Sequence, residues 1–302
     1  MKVVGSSTAS ESILLQKLRD YAALTKLRLS MTVAFSAMLG YLFGSEILTI
    51  NWFQFALFTI AGLLVTCSSN ALNEVIEKDS DRLMDRTMNR PLPIGSMSTA
   101  EAMIAAGAMG ILGVLLLAFE FNLTAGVLAA VSLLTYAFIY TPMKRISSIA
   151  VFIGAIPGAL PPMIGYVCAC AGGEINYFVA ITLFSVQFLW QFPHFWSIAW
   201  LRYEDYLKAG IMMLPSATGK TRLSAIHSVI YCAGLLVVSV VPYFMHWTGF
   251  ISTMVVAAYG FYFLWLSLDF YKKCDDASAK KVMFASFGYL PLVQMAFVFG
   301  RY

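Results

Sequence analysis

The chain has 302 residues, of which 60% are hydrophobic and 12% are charged, and its formal net charge is +4. Soluble domains carry about 25% charged residues, so this composition excludes an ordinary soluble protein and indicates one that crosses a membrane several times. Its long apolar runs do not alternate with polar residues, which excludes the strands of a membrane barrel.

Nine apolar runs are each long enough to cross about 30 Å of hydrocarbon as a helix. We predict spans at 29–48, 52–72, 102–119, 122–141, 148–168, 177–200, 223–242, 249–270 and 282–300. The predicted fold is an all-α polytopic membrane protein, with a cytoplasmic amphipathic lead-in at 1–28 and a single transmembrane domain at 29–302. The lead-in has no cleavable signal pattern, so we expect the plasma membrane of a prokaryote.

Basic residues determine the predicted orientation. If the N-terminus is cytoplasmic, nineteen of the twenty Lys and Arg residues fall on the cytoplasmic side, and Arg301 is the exception. Cytoplasmic loops carry an excess of Lys and Arg, so we predict a cytoplasmic N-terminus and an external C-terminus. The positive net charge follows from this bias and does not indicate a nucleic-acid partner.

Charge is most concentrated after the second span, in NEVIEKDSDRLMDRTMNRP. If the helix continues past the membrane edge, Asn73, Glu77, Asp81 and Asp85 recur every four residues and form one stripe of oxygens. Such oxygens suit Mg²⁺, which substrate phosphates usually complete. A neighbouring stripe of basic residues would bind the remaining phosphate oxygens. It consists of Lys78, Arg82, Arg86 and Arg90. The alternative is a solvated helix end with internal ion pairs. The acidic residues begin inside an apolar run, where unpaired charge is costly, and this argues against that alternative.

A second polar loop, 201–222, follows the sixth span, four spans after the first loop. This spacing indicates a duplicated four-helix unit, and we predict that both loops cap one central cavity. In QFLWQFPHFWSIAWLRYEDYLKAGIMMLP, a helical wheel places Gln187, Gln191, His194 and Asp205 on one face. The aromatic surroundings of His194 suit a flat ligand, and a packed core histidine is an equal alternative.

Two further stretches lie between these loops. YTPMKRISS places Lys144 and Arg145 at the membrane edge, either as topological anchors or as phosphate ligands. GAIPGALPPMIGY, at 154–166, is expected to thin and break the fifth helix, so that a ligand or another helix approaches closely.

Together these stretches resemble the UbiA-type intramembrane prenyltransferases, and most closely the haem O synthase branch of that superfamily. NEVIEKDSDRLMDRTMNRPLPIG resembles the first aspartate-rich motif. PHFWSIAWLRYEDYLKAGIMMLP resembles the second motif with the preceding His-Phe-Trp signature, and YTPMKR with IGAIPGALPPMIGY resembles the region between them. The resemblance runs from about residue 25 to residue 300.

The resemblance implies transfer of a farnesyl group from farnesyl diphosphate to a vinyl group of haem b, with addition of water, giving haem O and diphosphate. Haem b is then a substrate and not a redox cofactor, and the implied cofactor is Mg²⁺ bound to diphosphate. The implied partners are the lipid bilayer and haem A synthase or oxidase assembly factors. Two alternatives stay open, prenylation of an aromatic acid or quinone precursor and a non-catalytic polyprenyl or haem carrier.

The resemblance also assigns roles to residues. Asn73, Glu77 and Asp81 would bind Mg²⁺ and would act in catalysis together with Lys144 and Asp205. The other predicted substrate-binding residues are Asp79, Asp85, Arg86, Arg90, Arg145, His194, Arg202, Tyr203 and Lys208.

Some positions depart from the family pattern. Glu77 stands where the first motif usually has Asp, and its longer side chain still ends in ligating oxygens. Arg202 and Tyr206 stand where many members have two aspartates, and Met212 stands where the haem branch usually has Pro. The second loop is therefore expected to hold diphosphate rather than Mg²⁺.

Overall fold

The computed structural model describes residues 5–216 and 218–302, and helices form almost all of it. The long helices are α1 Gly5–Leu24, α2 Leu27–Gly44, α3 Trp52–Asp81, α4 Thr99–Glu120, α5 Leu123–Leu134, α6 Ala150–Ala169, α7 Tyr177–Leu201, α8 Arg222–Ser239, α9 Phe250–Lys273 and α10 Asp276–Phe299. Shorter helical segments lie at Ile47–Thr49, Pro91–Ile94, Thr135–Tyr140, Thr141–Met143, Tyr203–Lys208 and Val241–Phe244.

Nine helices in the described residues, α2 to α10, are long and apolar enough to cross a membrane. They confirm the nine predicted spans. The span that begins with α5 continues through a π-helical turn to Met143, and the span that begins with α8 continues to Phe244. At 30 residues, α3 is about 45 Å long and carries charged residues beyond the predicted apolar run.

The starting points of the spans follow from local capping. A side-chain oxygen accepts a hydrogen bond from a backbone N–H in the first turn of six of these helices. The capping residues of α3, α4, α5, α7, α8 and α10 are Asn51, Ser98, Asn122, Asn176, Thr221 and Asp275. These polar caps therefore fix the residue at which each of the six helices begins.

The order of helix neighbours is the same in two halves of the bundle. Each of α2 to α5 packs against the next helix in the chain, and so does each of α6 to α9. The halves meet where α2 packs against α6, and α10 packs against α9, α7 and α2. Because α5 also packs against α6, this sequential order does not separate two halves, and a duplicated four-helix unit stays a prediction.

Glycines allow α2 and α6 to approach closely. A methyl group at Gly40 would overlap the carbonyl of Pro162, and one at Gly165 would overlap the carbonyl of Ala37. The expected thinning of this helix is therefore correct. The predicted break in this helix is wrong, because α6 is continuous over Ala150–Ala169 although it contains three prolines.

The predicted lead-in is mostly the helix α1, and its residues 1–4 lie outside the described residues. Nζ of Lys17 lies 2.9 Å from the Glu101 carboxylate, which also accepts a hydrogen bond from the Tyr21 hydroxyl at 3.0 Å. The described part of α1 exposes a group of apolar side chains, Ile13, Leu14, Leu15 and Leu18. Its position on a membrane surface stays a prediction.

The charged connections lie at one end of the bundle, where three contacts join them. Nζ of Lys208 lies 2.6 Å from Oδ2 of Asp85, and Nζ of Lys220 lies 2.8 Å from Oδ1 of Asp276. The backbone N–H of Met212 donates to the carbonyl of Lys144 at 2.9 Å. We call this the loop end of the bundle, and its side of the membrane stays a prediction.

Candidate active site

A buried cluster of charged and polar side chains lies on α3 near the loop end. Asn73, Glu74, Glu77 and Asp81 are each at most 7% exposed. Spacings of three and four residues bring them to one side of the helix. Because buried carboxylates are costly without partners, this arrangement requires positive charge from other parts of the chain.

Lys144 enters the cluster from the turn after α5. Its Nζ lies 2.7 Å from Oε1 of Glu77 and 4.6 Å from the centre of the Tyr140 ring. Burial alone would lower the pKa of Lys144, but the Glu77 carboxylate, together with Tyr136 and Tyr206, outweighs it and holds this pKa above its ordinary value. Lys144 therefore supplies a fixed positive charge.

Arg90 enters the cluster from the turn after α3. Its Nη1 lies 2.7 Å from Oδ2 of Asp81, and its Nε lies 3.3 Å from Oε1 of Glu74. Within the part of the chain that the structure describes, Oδ1 of Asp81 and Oε2 of Glu74 have no hydrogen-bond partner, and Oε1 of Glu74 has only its ion-pair contact with Arg90. A buried acceptor without a partner costs about 1–3 kcal/mol, so the cluster can take a further cation.

Lys26 is a third basic residue of the cluster, and the sequence did not predict it as a site residue. It has a left-handed backbone, with φ 47° and ψ 51°, and its Nζ donates to Oδ1 of Asn73. Nδ2 of Asn73 donates to Oε2 of Glu77 at 2.8 Å and to Oγ1 of Thr141 at 3.0 Å. Burial and the nearby Arg90 lower the pKa of Lys26, and the Glu77 and Glu74 carboxylates oppose this shift. A left-handed lysine is uncommon, and the local sequence gives no signal for it.

The predicted stripe of oxygens is correct up to Asp81, where α3 ends, and wrong beyond it. Asp85 instead joins the second loop. Its Oδ2 accepts a hydrogen bond from Nζ of Lys208 at 2.6 Å, and its backbone N–H donates to Oδ1 of Asp205 at 3.0 Å. The hydrogen bond to Asp85 raises the pKa of Lys208. The two polar loops therefore contact each other directly.

The predicted basic stripe beside it is wrong, because the chain turns after α3. Lys78 donates to Oγ1 of Thr99 at 3.2 Å, and Arg82 donates to a backbone carbonyl at 3.3 Å. Arg82 also lies 3.5 Å from Asp79, whose side chain is 87% exposed. Of the four basic residues in that stripe, Arg90 is the one with contacts to the buried acids in the described residues.

Four other predicted residues lie at the loop end without joining the cluster. Arg86, Arg145 and Arg202 are exposed, and their side chains make no hydrogen bond or ion pair in the described part of the chain. Tyr203 packs against Gly219, where a methyl group would overlap its hydroxyl.

Asp205 does not share a helix face with His194. The helical wheel assumed one continuous helix, but α7 ends at Leu201 and Asp205 lies on the separate helix Tyr203–Lys208. This part of the sequence prediction is therefore wrong. Asp205 is positioned by its bond to the first loop and not by α7.

A cavity of about 490 Å³ lies between α2, α3, α5, α6, α7 and α10. Tyr140, which lies beside Lys144, forms part of its wall, and so does Asn70, one helical turn before Asn73. The cavity therefore adjoins the charged cluster. Its described lining contains no residue of the two polar loops, so capping of the cavity by those loops stays a prediction.

Three polar side chains of α7 lie on the wall of this cavity, Gln187, Gln191 and His194. Nδ1 of His194 lies 2.8 Å from Oγ of Ser286, and its ring stacks on Trp190 with centroids 4.7 Å apart. His194 is thus a packed, hydrogen-bonded residue, as one interpretation predicted. It also borders a cavity large enough for a ligand, as the other interpretation predicted.

The oxygen ligands on α3 fit a Mg²⁺ site in which substrate phosphates complete the coordination. They fit less well a metal site built from protein ligands alone. No group of three or more His, Cys, Asp or Glu side chains in the described residues has the arrangement of a metal site. Mg²⁺ is usually held by one or two carboxylates with waters and substrate phosphates. Glu77 and Asp81 supply two carboxylates, Asn73 supplies an amide oxygen, and Oδ1 of Asp81 is still without a partner.

Comparison with known proteins gives the family. The model of the UbiA prenyltransferase family matches residues 33–288. The chain belongs to the UbiA prenyltransferase family. A family member from Cytophaga hutchinsonii, named protoheme IX farnesyltransferase, is 43% identical over 281 residues, which are 93% of this chain and 97% of that protein. A protein of the same name from Flavobacterium johnsoniae is 40% identical over 289 residues, 94% of each chain.

Solved structures show the same fold. A digeranylgeranylglyceryl phosphate synthase structure gives a TM-score of 0.79 at 22% identity and covers 94% of this chain and 98% of that one. A UbiA homolog from Archaeoglobus fulgidus, bound to GPP and Mg²⁺, gives a TM-score of 0.69 at 16% identity and covers 92% and 99%. Family membership makes this chain a prenyl-transferring membrane enzyme.

Proposed function

We propose that this enzyme transfers a farnesyl group from farnesyl diphosphate to a vinyl group of protohaem IX, with addition of water, giving haem O and diphosphate. The observation that carries the proposal is a buried cluster of Asn73, Glu77 and Asp81 with Lys144 and Arg90 beside an apolar cavity. A farnesyl diphosphate molecule has the matching shape, because its apolar tail ends in a polyanionic head. Relatives that cover more than nine-tenths of the chain are named for this reaction.

The charged cluster is the proposed diphosphate site. Mg²⁺ would be held by Asn73, Glu77 and Asp81. Bound together with diphosphate, it would neutralise the negative charge that develops on the leaving group. Lys144 and Arg90 would bind diphosphate oxygens directly. Solved UbiA homologs were bound to GPP or DMAPP together with Mg²⁺, which supports a metal-dependent site in this fold.

The second loop is proposed to hold the diphosphate from the other side. Lys208, Arg202 and Tyr203 lie on it, and Asp205 positions it through the backbone N–H of Asp85. Two exposed arginines of other connections, Arg86 and Arg145, would add positive charge at the same end. Asp79 has no part in this proposal, because its exposed carboxylate pairs with Arg82 away from the cluster.

The cavity is proposed to hold the farnesyl tail and the porphyrin. Aromatic rings on its wall, Tyr136, Trp190, Phe195 and Phe287, suit a flat aromatic molecule, and His194 lies among them. The terminal vinyl carbon bonds to C1 of the farnesyl group as the bond from C1 to diphosphate breaks. The positive charge left on the inner vinyl carbon is captured by water, so no protein nucleophile is required.

The cavity lining favours haem over the nearest alternative, an aromatic acid. A carboxylate inside a membrane bundle needs a cation beside it. Among the described residues that line the cavity there is no Lys or Arg. Protohaem IX also has two carboxylates, but these propionates lie on the edge of the macrocycle away from its vinyl groups, so the apolar vinyl edge can enter this lining while the propionates stay outside it. A small aromatic acid would bring its carboxylate into the lining together with its reacting ring carbon. A carrier without catalysis would bind the same metal–diphosphate head group, so release of diphosphate with turnover separates it from an enzyme.

We also propose that the enzyme lies in a prokaryotic plasma membrane with its loop end in the cytoplasm. The N-terminus and the lead-in at 1–28 would then be cytoplasmic, the transmembrane domain at 29–302 would follow, and the C-terminus would be external. The basic residues at the loop end support this orientation. Haem A synthase or oxidase assembly factors are the proposed recipients of the product.

A competition experiment tests the acceptor. Purified protein in lipid nanodiscs receives farnesyl diphosphate, Mg²⁺, and equal concentrations of haem b and an aromatic acid. We expect haem heavier by one farnesyl group and one hydroxyl group in the mass spectrum. Farnesylated aromatic acid with unchanged haem would move the function to the alternative, and no diphosphate release with either acceptor would support a carrier.

A further inference from the structure

Thr141 is a buried polar residue beside the charged cluster, and the proposed function gives it no role. It comes directly after the π-helical turn Thr135–Tyr140 and is 2% exposed. Its hydroxyl accepts a hydrogen bond from Nδ2 of Asn73, on α3, at 3.0 Å. Polar groups inside a membrane bundle are costly, so they are expected to be hydrogen-bonded, functional or both. What Thr141 does therefore depends on the atoms that it binds.

The single hydrogen of the Thr141 hydroxyl is already used. Oγ1 donates it to the carbonyl of Tyr136 at 2.8 Å, and the backbone N–H of Thr141 donates to the same carbonyl. These bonds span five residues, which is the spacing of a π-helical turn, whereas an α-helix would pair this carbonyl with the N–H of Tyr140. Because its hydrogen is used, Oγ1 can only accept from Asn73. The turn thus presents a fixed acceptor to α3.

The partners of the Asn73 amide determine its orientation. Nδ2 donates to Oε2 of Glu77 at 2.8 Å and to Oγ1 of Thr141, so both amide hydrogens are used. Oδ1 accepts from Nζ of Lys26. The reversed amide would place its oxygen against the Glu77 carboxylate and its N–H groups against the Lys26 ammonium group. The amide oxygen therefore points away from Thr141 and towards Lys26.

Two of these three partners must change when metal and diphosphate bind. In the proposed complex Oδ1 of Asn73 binds Mg²⁺, so Lys26 has to leave it. The Glu77 carboxylate is drawn to the metal as well, which weakens its bond to Nδ2. Thr141 is uncharged and is bonded to its own helix, so neither the metal nor diphosphate draws it away. Over the described ranges, Thr141 is then the remaining side-chain acceptor for Nδ2 of Asn73.

We propose that Thr141 is a positioning residue of the metal site, which holds the Asn73 amide with its oxygen towards Mg²⁺ while the other partners exchange. The inference rests on the proposed function, in which Asn73 is a ligand of Mg²⁺. An amide oxygen can bind Mg²⁺ and an amide N–H₂ group cannot, so a reversed Asn73 would remove one ligand. Thr141 would not itself contact the metal.

Metal binding tests this role without relying on turnover. The full-length protein in lipid nanodiscs receives farnesyl thiolodiphosphate, an analogue that does not readily release diphosphate, and Mn²⁺ as a probe for the Mg²⁺ site. Free Mn²⁺ is measured by electron paramagnetic resonance. Thr141→Val has a similar shape but no hydroxyl, so we expect it to bind Mn²⁺ about tenfold more weakly, the effect of one lost hydrogen bond. Thr141→Ser keeps the hydroxyl and should bind Mn²⁺ as the wild type does.

Two comparisons separate orientation from packing. Thr182→Val removes a buried hydroxyl that donates to the carbonyl of Phe178 within α7 at 2.8 Å, and it should keep the wild-type affinity for Mn²⁺. In Asn73→Asp the ligand has two oxygens and no amide to orient, so adding Thr141→Val should not weaken binding further. Thr141→Ala also lacks the hydroxyl and repeats the measurement if Thr141→Val does not fold.

Turnover gives a second measurement. The Mg²⁺ concentration for half-maximal diphosphate release should rise in Thr141→Val by the same factor as the loss of Mn²⁺ affinity. The KM for haem b should stay unchanged, because Thr141 acts on the metal site and not on the acceptor.

Wild-type affinity of Thr141→Val for Mn²⁺ would overturn the proposal. Equally weak binding by Thr141→Val and Thr141→Ser would also overturn it, and so would an equal loss in the Asn73→Asp background, because either result would indicate packing. If the wild-type protein itself binds no Mn²⁺ with the analogue, the proposed metal–diphosphate site fails, and this inference fails with it. The wild-type measurement thereby distinguishes the two failures.

Discussion

Nζ of Lys144 lies 2.7 Å from Oε1 of Glu77, and Asn73 connects the same carboxylate to Lys26. The basic side chains that would bind diphosphate are therefore paired with the oxygens that would bind Mg²⁺. Binding of Mg²⁺ and diphosphate would exchange these partners, with carboxylates turning to the metal and ammonium groups to phosphate. Each buried charge keeps an opposite charge beside it in both states, which avoids the cost of an unpaired ion.

Replacement of Lys144 tests this exchange. Lys144→Met leaves Glu77 unpaired and removes a cation from the diphosphate, and loss of one partner in a buried pair costs about 2–5 kcal/mol. We expect kcat/KM for farnesyl diphosphate to fall by about 30-fold or more, measured as diphosphate release. Lys272→Met, at an exposed position, is the control. A Lys144→Met enzyme within twofold of wild type would contradict the role of Lys144.

Lys26 is predicted to contribute to substrate binding although no motif marks it. Lys26→Met removes the hydrogen bond that positions Asn73, so we expect KM for farnesyl diphosphate to rise by about tenfold, as for loss of one buried hydrogen bond. Arg28→Met changes an exposed residue two positions later and should leave KM unchanged. Equal effects of the two changes would assign Lys26 a general electrostatic role instead.

The contact between Lys208 and Asp85 is predicted to be weak. Both side chains are about half exposed or more, and exposed ion pairs contribute about 0–1 kcal/mol. A double-mutant cycle with Lys208→Met and Asp85→Asn, measured on kcat/KM, should give a coupling below about 1 kcal/mol that shrinks as salt is added. A larger, salt-independent coupling would show that the two loops form a tighter unit than the structure indicates.

The close approach of α2 and α6 gives a stability prediction. Gly40→Ala and Gly165→Ala place methyl groups against backbone carbonyls, and overpacking of this kind costs about 1–3 kcal/mol. Gly62→Ala is the matched control, since among the described residues no atom beyond the adjoining residues and backbone of its own helix lies within 4 Å of the added methyl group. Thermal unfolding in detergent should show lower midpoints for the first two variants and an equal or higher midpoint for the third. The opposite order would contradict the packing described.

Much of the fold follows from the sequence because membrane spans require long apolar runs. Each predicted run corresponds to a helix from α2 to α10, and capping residues such as Asn51 and Asn176 mark where helices begin. Helix ends were harder to predict. The same polar residues can continue a helix or leave it, so the end of α3 at Asp81 was not predicted. The predicted sixth span ended one residue before Leu201, but the helical wheel wrongly continued that helix to Asp205.

The site could be predicted in part. Asn73, Glu77 and Asp81 lie on one helix, where spacing alone determines their alignment. Contacts between distant segments carry no such periodic signal. The bond from Lys26 to Asn73 and the bond from His194 to Ser286 each join residues that are far apart in the chain. They became visible only in the folded structure.

The most direct test of the account measures diphosphate release and haem farnesylation together, with and without Mg²⁺, in wild-type enzyme and Asp81→Asn. Asn keeps the shape of Asp81 but removes the charge that would hold the metal, so we expect the rate to fall by about 10²–10³-fold, as for loss of a group that stabilises developing charge. Asp79→Asn, at an exposed carboxylate, should retain the wild-type rate. Farnesylated haem should form in wild-type enzyme only when Mg²⁺ is present. Full activity of Asp81→Asn, or wild-type turnover without a divalent metal, would contradict a metal–diphosphate site at this cluster.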